Sequence, residues 1–216
     1  MKLHLGCGQN YLKGYLNIDF PSSEHTVQQK SVADKLADIT KLKYRSESIE
    51  EIRLHHVFEH FPRTQALGLV VSWNSWLVKN GILRIAVPNF NAMAMQVLNP
   101  LTPGKQKSLA LRHIFGSQEA GWANHYEGYS RQKLVNLLGT FNFKVETINN
   151  IHWKKMHNIE VIAKRQRLIS VKKASERAKK YLSHYLVDDS PSEKKMLKTW
   201  LNDFKNQIDL SYAPSR

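Results

Sequence analysis

Gly6, Gly8 and Asp19 are placed along the chain so that they can hold a nucleotide-like ligand. They lie in Leu3-His4-Leu5-Gly6-Cys7-Gly8-Gln9-Asn10-Tyr11-Leu12-Lys13-Gly14-Tyr15-Leu16-Asn17-Ile18-Asp19, which reads as an apolar strand, a Gly-Cys-Gly turn and a second strand ending in an acid. A turn without side chains lets bare backbone approach a ligand, and a carboxylate at the end of the next strand can accept hydrogen bonds from two ribose hydroxyls. A dinucleotide fingerprint needs a third glycine three residues after the second, where Tyr11 stands, and an acid about 20 residues further on. The acid comes much sooner here, so the spacing predicts a single nucleoside with no pyrophosphate to cradle.

Histidine is the other chemistry-bearing residue type. His125, within Trp122-Ala123-Asn124-His125-Tyr126-Glu127-Gly128-Tyr129, is the candidate general base for an acceptor hydroxyl, with His113 as the fallback; an imidazole takes a proton near neutral pH. Trp122, Tyr126, Tyr129 and Trp153 offer flat apolar faces to a sugar or a base. His55, His56 and His60 invite a metal reading, but neighbouring strand residues point to opposite faces and Glu59-His60 opens a helix. No metal is expected. The lone Cys7 cannot form an internal disulfide; it suits a reducing cytoplasm and reads as a small residue fitted to its turn.

Strand and helix signals alternate through residue 166, which calls for a largely parallel sheet with helices packed on it. The expected strands are Lys2–Leu5, Tyr15–Asp19, a short piece near Val32–Asp38, Ile49–His55, Gly81–Val87, Phe143–Ile148 and Ile159–Lys164. A helix should run from about Arg63 to Val78, with Ala66, Leu69, Val70, Trp73 and Leu77 at helical spacing, Pro62 at its start and Lys79-Asn80-Gly81 as its stop. Residues 90–128, rich in proline, glycine and aromatics, interrupt the alternation and read as a substrate-facing insertion. Beyond Gln166 the pattern is purely helical. Ser190-Pro191-Ser192-Glu193 reads as a capping box, and Leu197, Trp200, Leu201, Phe204 and Ile208 follow at helical spacing. Val171, Ala174, Ala178, Tyr181, Leu182 and Tyr185 form a matching stripe, so the reading is a helical hairpin turning at Asp188-Asp189.

The chain of 216 residues, 42% hydrophobic and 23% charged, is that of a globular protein large enough for a proper core. It holds no run near the roughly 18 apolar residues a membrane span needs, and Met1-Lys2-Leu3-His4-Leu5 enters the glycine turn without the features of a signal peptide. Net charge is +14, with 17 basic against 11 acidic residues over positions 1–150 and 15 against 7 over 151–216. The tail is the more basic part, fitted to an anionic surface or a partner protein. Its apolar stripes must be covered by the chain's own sheet, a second copy in a homodimer, or a membrane-bound partner.

Together the blocks Leu5-Gly6-Cys7-Gly8, Asn17-Ile18-Asp19, Ala37-Asp38-Ile39 and His56-Val57-Phe58-Glu59-His60-Phe61 resemble, in their order, a class I S-adenosylmethionine-dependent methyltransferase, of the kind met in cell-surface polysaccharide synthesis. Leu77-Val78-Lys79-Asn80-Gly81-Ile82-Leu83-Arg84-Ile85-Ala86-Val87-Pro88-Asn89 is similar to that family's turn into strand five. The resemblance implies a Rossmann-like, mostly parallel seven-stranded sheet with helices on both faces over residues 1–166, the basic helical hairpin of 167–216 being appended. It implies S-adenosylmethionine as cofactor, with Gly6, Cys7 and Gly8 at its methionine part, Asp19 on the ribose, and Asp38 and the Ile39 N–H on the adenine. His56 and Glu59 would floor the pocket beside the transferred methyl, and His56 joins His125 as a catalytic candidate. The implied activity is O-methylation of a sugar hydroxyl of a surface glycan or its precursor, in the cytoplasm or at the inner face of a membrane. Two other readings stand beside it. The charge fits a nucleic-acid methyltransferase, although His-Val-Phe-Glu-His-Phe is not the Asn/Asp-Pro-Pro-aromatic block of enzymes that methylate base amines; the tail fits an inactive scaffold docking a partner. Many family members keep an acid at the end of strand one, where this chain has His4 and Leu5.

Overall fold

The computed structural model describes residues 1–21, 31–153 and 156–212. Seven strands, β1 (Lys2–Leu5), β2 (Leu16–Asp19), β3 (Lys35–Leu36), β4 (Ile49–His55), β5 (Leu77–Pro88), β6 (Phe143–Trp153) and β7 (Met156–Arg165), form one sheet in the order β3-β2-β1-β4-β5-β7-β6. Pairing is parallel from β3 to β5 and antiparallel on both sides of β7. The strand order reverses between β1 and β4, where open α/β sheets leave a crevice at their carboxyl ends.

In-register neighbours share a face, so the sheet has two unlike sides. Leu3, Ile52, Leu83 and Ala163 lie in one row and Leu5, Leu54, Ile85 and Val161 in the next, all fully buried. The opposite face is polar: Lys2, Arg53, Arg84, Glu51 and Glu160 form a lattice of ion pairs, with Glu51 and Glu160 both held by Arg84. At the carboxyl end this face is closed by a helix, through a hydrogen bond between His113 and Asn158 (2.7 Å).

Helix α1 (Arg63–Trp76) crosses from β4 to β5 and is buried almost all round, from Thr64 and then Ala66 through Trp76. One side meets the sheet; the other is covered by α6 (Pro191–Ser211), the second helix of the tail. Gly68 makes this close approach possible, since a Cβ there would stand 2.7 Å from the Gln207 Cβ. The Trp76 indole N–H donates to the Ser211 carbonyl, and the Ser72 and Ser211 hydroxyls pair at 2.7 Å. Phe204 and Ile208 are buried, with Leu197, Trp200 and Leu201 partly buried beside them; Ala174, Ala178 and Leu182 of α5 (Val171–Ser183) are buried too. The apolar stripes of the tail are thus covered by its own chain, except Val171, which is exposed. Among the described residues no helix is long and apolar enough to cross a membrane.

Several boundaries differ from expectation. The helix stops at Trp76 because Leu77 is already extended and pairs with Ile49, and Lys79-Asn80-Gly81 forms a bulge inside β5 instead of a helix cap; Asn80 takes the left-handed conformation (φ 61°). β3 is only two residues long, whereas β6 and β7 extend far beyond the expected spans as an antiparallel ribbon. The insertion holds two helices, α2 (Phe90–Leu98) and α3 (Gly104–Phe115), and α4 (Arg131–Thr140) follows it. At Ser190 the hydroxyl accepts from Glu193 N–H, but the Glu193 carboxylate reaches Val187 N–H and not Ser190, whose N–H goes to Asp188. Half of the capping box forms.

Candidate active site

A cavity of about 430 Å³ opens at the carboxyl ends of β1, β2, β3 and β4. Its wall includes Gly6, Cys7, Gly8, Asp19, Asp38, Ile39 and His56, seven of the nine residues expected to bind or react. The glycine turn follows from its neighbours: Gly6 and Gly8 have positive φ (69° and 54°), and Gly6 and Cys7 N–H both donate to the Ile18 carbonyl. A Cβ on Gly6 would sit 2.2 Å from Val57 Cγ2, so only glycine lets β1 turn this close to the end of β4.

Asp19 is fixed by backbone. Its Oδ2 accepts from Gly8 N–H (3.0 Å) and its Oδ1 from Phe20 N–H (2.9 Å), which aims a charged acceptor across the turn. Asp38 Oδ1 caps the short helix Ile39–Lys41, accepting from Thr40 N–H and the Thr40 hydroxyl, while Lys41 stands 3.3 Å from Oδ2. Below the turn, the buried His4 donates from Nδ1 to Asn17 Oδ1, which also accepts from Leu12 N–H; Asn17 in turn holds the Leu12 and Tyr15 carbonyls and Asp34. His4 therefore braces the loop between β1 and β2. Burial lifts the Cys7 thiol to about 11, with Asp19 adding to the rise, so this sulfur is a packed neutral group at physiological pH.

The opposite wall is histidine-rich. His56 has positive φ (56°), an uncommon geometry for a side chain with a Cβ, and its Nδ1 lies 3.1 Å from Glu59 Oε1. Glu59 is fully buried behind it and does not line the cavity. Burial works against its charge, but the bond to His56 and the nearby imidazoles outweigh that and hold the carboxyl below its ordinary range. A carboxylate on Nδ1 fixes the tautomer whose free lone pair is Nε2 and stabilises the imidazolium once a proton arrives.

His125 stands elsewhere. It lines a small void behind the cavity with Glu59, His113 and Tyr129, its Nδ1 bonded to the His113 carbonyl (2.9 Å) and its ring edge-on to His60 at 4.7 Å. Burial lowers both His125 and His113 below the usual imidazole value, and His113 is committed to Asn158. Of the aromatics, Trp122 lines the cavity, Tyr126 is exposed, and Tyr129 is buried against Phe58; the Trp153 side chain lies outside the described residues. Phe20, Thr40, His55, Val57, His60, Phe61 and Gln65 complete the wall. Phe20 directly follows the acid and could have been inferred; Gln65 enters only because α1 begins at the cavity rim.

The tail braces this region. Arg63 donates to Glu127 (2.7 Å), which also holds Lys133, and the Arg63 guanidinium stacks 3.5 Å over the Tyr185 ring. Gln207 of α6 donates to the carbonyl of Thr40 on the cavity wall.

No protein-family model and no curated protein matches the chain. Solved structures do match in fold. A Mesorhizobium loti S-adenosylmethionine-dependent methyltransferase superposes with TM-score 0.52 at 14% identity, over 76% of this chain and 90% of that one. A Methanosarcina mazei S-adenosylmethionine-dependent methyltransferase gives 0.51 at 14%, over 76% and 92%. The Burkholderia thailandensis 1,6-didemethyltoxoflavin-N1-methyltransferase, solved with its substrate and S-adenosylhomocysteine, gives 0.52 at 12%, over 77% and 71%. The fold is that of the class I S-adenosylmethionine-dependent methyltransferases.

Proposed function

We propose that the chain is an S-adenosylmethionine-dependent methyltransferase that acts on a hydroxyl, that of a sugar in a surface glycan or its precursor. The observation that carries this reading is the cavity at the strand-order reversal, which joins a nucleoside-fitted wall to an imidazole backed by a buried carboxylate. On the first wall, Gly6 to Gly8 offer backbone to the methionine part, Asp19 the ribose acceptor, and Asp38 with the Ile39 N–H the adenine contacts. On the second, His56 Nε2 takes the acceptor's proton as the oxygen attacks the sulfonium methyl. The S–CH3 bond breaks, the O–CH3 bond forms, S-adenosylhomocysteine leaves, and the proton rests on His56, stabilised by Glu59. His125 passes from base to support, since its ring faces His60 behind the cavity. Trp122 offers a flat face to a sugar ring. Residues 1–166 serve as the catalytic unit and 167–216 as its basic brace, with the enzyme in the cytoplasm, where the lone thiol stays reduced and the basic tail can meet an anionic membrane face.

Calorimetric titration with S-adenosylhomocysteine tests the cofactor assignment. Asp19→Ala should weaken binding by about 1.5–3 kcal/mol, or roughly 10- to 150-fold, because a charged acceptor and its hold on Gly8 N–H are both lost. Asp19→Asn, which keeps the shape and an acceptor oxygen for Gly8, should lose less. Equal affinity in the wild type and Asp19→Ala would remove the ribose role.

A further inference from the structure

Glu59, His60 and His125 form a second constellation, joined to the first through the His56–Glu59 bond. One nitrogen of each imidazole and one carboxylate oxygen all lie within 4.8 Å of one another. Hydrogen bonding shows which atoms of these side chains are uncommitted. His60 Nδ1 is engaged by the Asn124 carbonyl (3.1 Å) and His125 Nδ1 by the His113 carbonyl (2.9 Å). A carbonyl can only accept, so both Nδ1 atoms carry the proton and both Nε2 atoms are left as lone pairs. Glu59 Oε1 is occupied by His56, while Oε2, in a side chain 1% exposed, has no partner. Two imidazole lone pairs and one carboxylate oxygen are therefore left as acceptors within this cluster, an arrangement costly to bury unless a cation completes it.

From this geometry we infer that Glu59, His60 and His125 form a binding site for a divalent transition-metal ion. Two imidazoles and one carboxylate suit Zn²⁺, Co²⁺, Mn²⁺ or Fe²⁺, and the backbone carbonyls on both Nδ1 atoms are the outer contacts that orient metal-binding histidines. With all three atoms within 4.8 Å of one another, some point lies within about 2.8 Å of each, against metal–ligand distances of about 2.0–2.2 Å, so small side-chain rotations close the site. His60 also lines the main cavity, so a ligand position left open there is reachable from it. Such an ion could hold and polarise an acceptor oxygen; that role rests on the methyltransferase reading, whereas the metal site does not. The expectation of no metal rested on His55 and His56 pointing to opposite faces of a strand, but His56 lies past the end of β4, the two rings are 4.8 Å apart, and both line the main cavity with His60. The missing ligand is His125, brought alongside by the Tyr126 N–H bond to the Glu59 carbonyl and the His125 N–H bond to the Phe115 carbonyl.

The test uses the full chain stripped with a chelator and titrated with Co²⁺, followed by visible absorption, with Zn²⁺ as competitor. One equivalent of Co²⁺ should bind and give a d–d spectrum that Zn²⁺ abolishes; His60→Ala and His125→Ala should each weaken binding at least about a hundredfold, beyond the 10- to 100-fold typical of losing an outer contact. The paired rings of His152 and His157 on the β6–β7 ribbon are the competing site, and the double variant His152→Ala/His157→Ala should bind as the wild type does. Paramagnetic NMR of the wild type needs no variant: Co²⁺ should shift the His60 and His125 rings first. No stoichiometric binding, binding lost with the His152/His157 pair, or shifts confined to other histidines would overturn the site. Titration of the metal-free protein with S-adenosylhomocysteine separates the two claims, since the cofactor should bind there whether or not Co²⁺ does.

Discussion

Replacing His56 with asparagine is expected to lower methyl transfer to a hydroxyl acceptor by about 10²- to 10⁴-fold, the usual contribution of a positioned general base. Asparagine is the informative substitution because it tolerates the positive φ that His56 adopts, so the loss reports chemistry and not backbone strain. Affinity for S-adenosylhomocysteine should change less than about tenfold, since the ribose and adenine contacts on the facing wall remain. Glu59→Gln should cost less than His56→Asn: the amide still receives the His56 Nδ1–H but no longer stabilises an imidazolium. Turnover measured as S-adenosylhomocysteine release with a glycan hydroxyl acceptor reads both variants. An unchanged kcat in His56→Asn would exclude this imidazole as the base and return the role to another group on the wall.

Phe204→Ala is expected to destabilise the protein by about 3–5 kcal/mol, because the ring is buried to 1% exposure and stacks 6.5 Å from Phe141 at the seam between α6 and the sheet domain. For a chain of this size that is a fall in melting temperature of roughly 6–20 °C. Leu210→Ala on the same helix, half exposed, should change it by a degree or two at most. Gly68→Ala, which drives a methyl into Gln207, should fall between them at about 1–3 kcal/mol. Loosening α6 also releases the Gln207 bond to Thr40 on the cavity wall, so cofactor affinity should drop with stability. Thermal melts of the three variants decide it; a Phe204→Ala melt equal to that of Leu210→Ala would show that the tail is not part of the cooperative core.

The glycine turn and its acid were legible because they are local: the strand, the two glycines and Asp19 lie within one stretch, and each residue type has a single physical use there. The mostly parallel seven-stranded sheet followed for the same reason, since apolar runs with short links leave few ways to build it, but its strand order was not read from the sequence. The two insertion helices were not legible. Met95, Leu98 and Leu101 are strongly exposed, so α2 and the turn after it lack the one-sided pattern that marks a surface helix, although Asn89 caps α2 through Ala92 N–H. The apolar content of α1 was readable further than its expected stripe. Leu67 and Val71 lie off that stripe, and a helix with apolar residues outside one face must be covered on a second side; here the second cover is the tail. What no local pattern could show is that His125 meets His60. That pairing depends on a loop folded back some 65 positions along the chain, held by backbone bonds to Glu59 and Phe115.

A crystal structure of the chain grown with S-adenosylhomocysteine decides whether this cavity is the cofactor site. The ligand should lie at the β1/β4 crevice, its ribose hydroxyls on Asp19, its adenine beside Asp38 and Ile39, its amino-acid part along Gly6 to Gly8 and its sulfur toward His56. Ligand bound elsewhere, such as the groove between α4 and α5, or a cavity that stays without ligand at saturating concentration, would rule the cofactor site out.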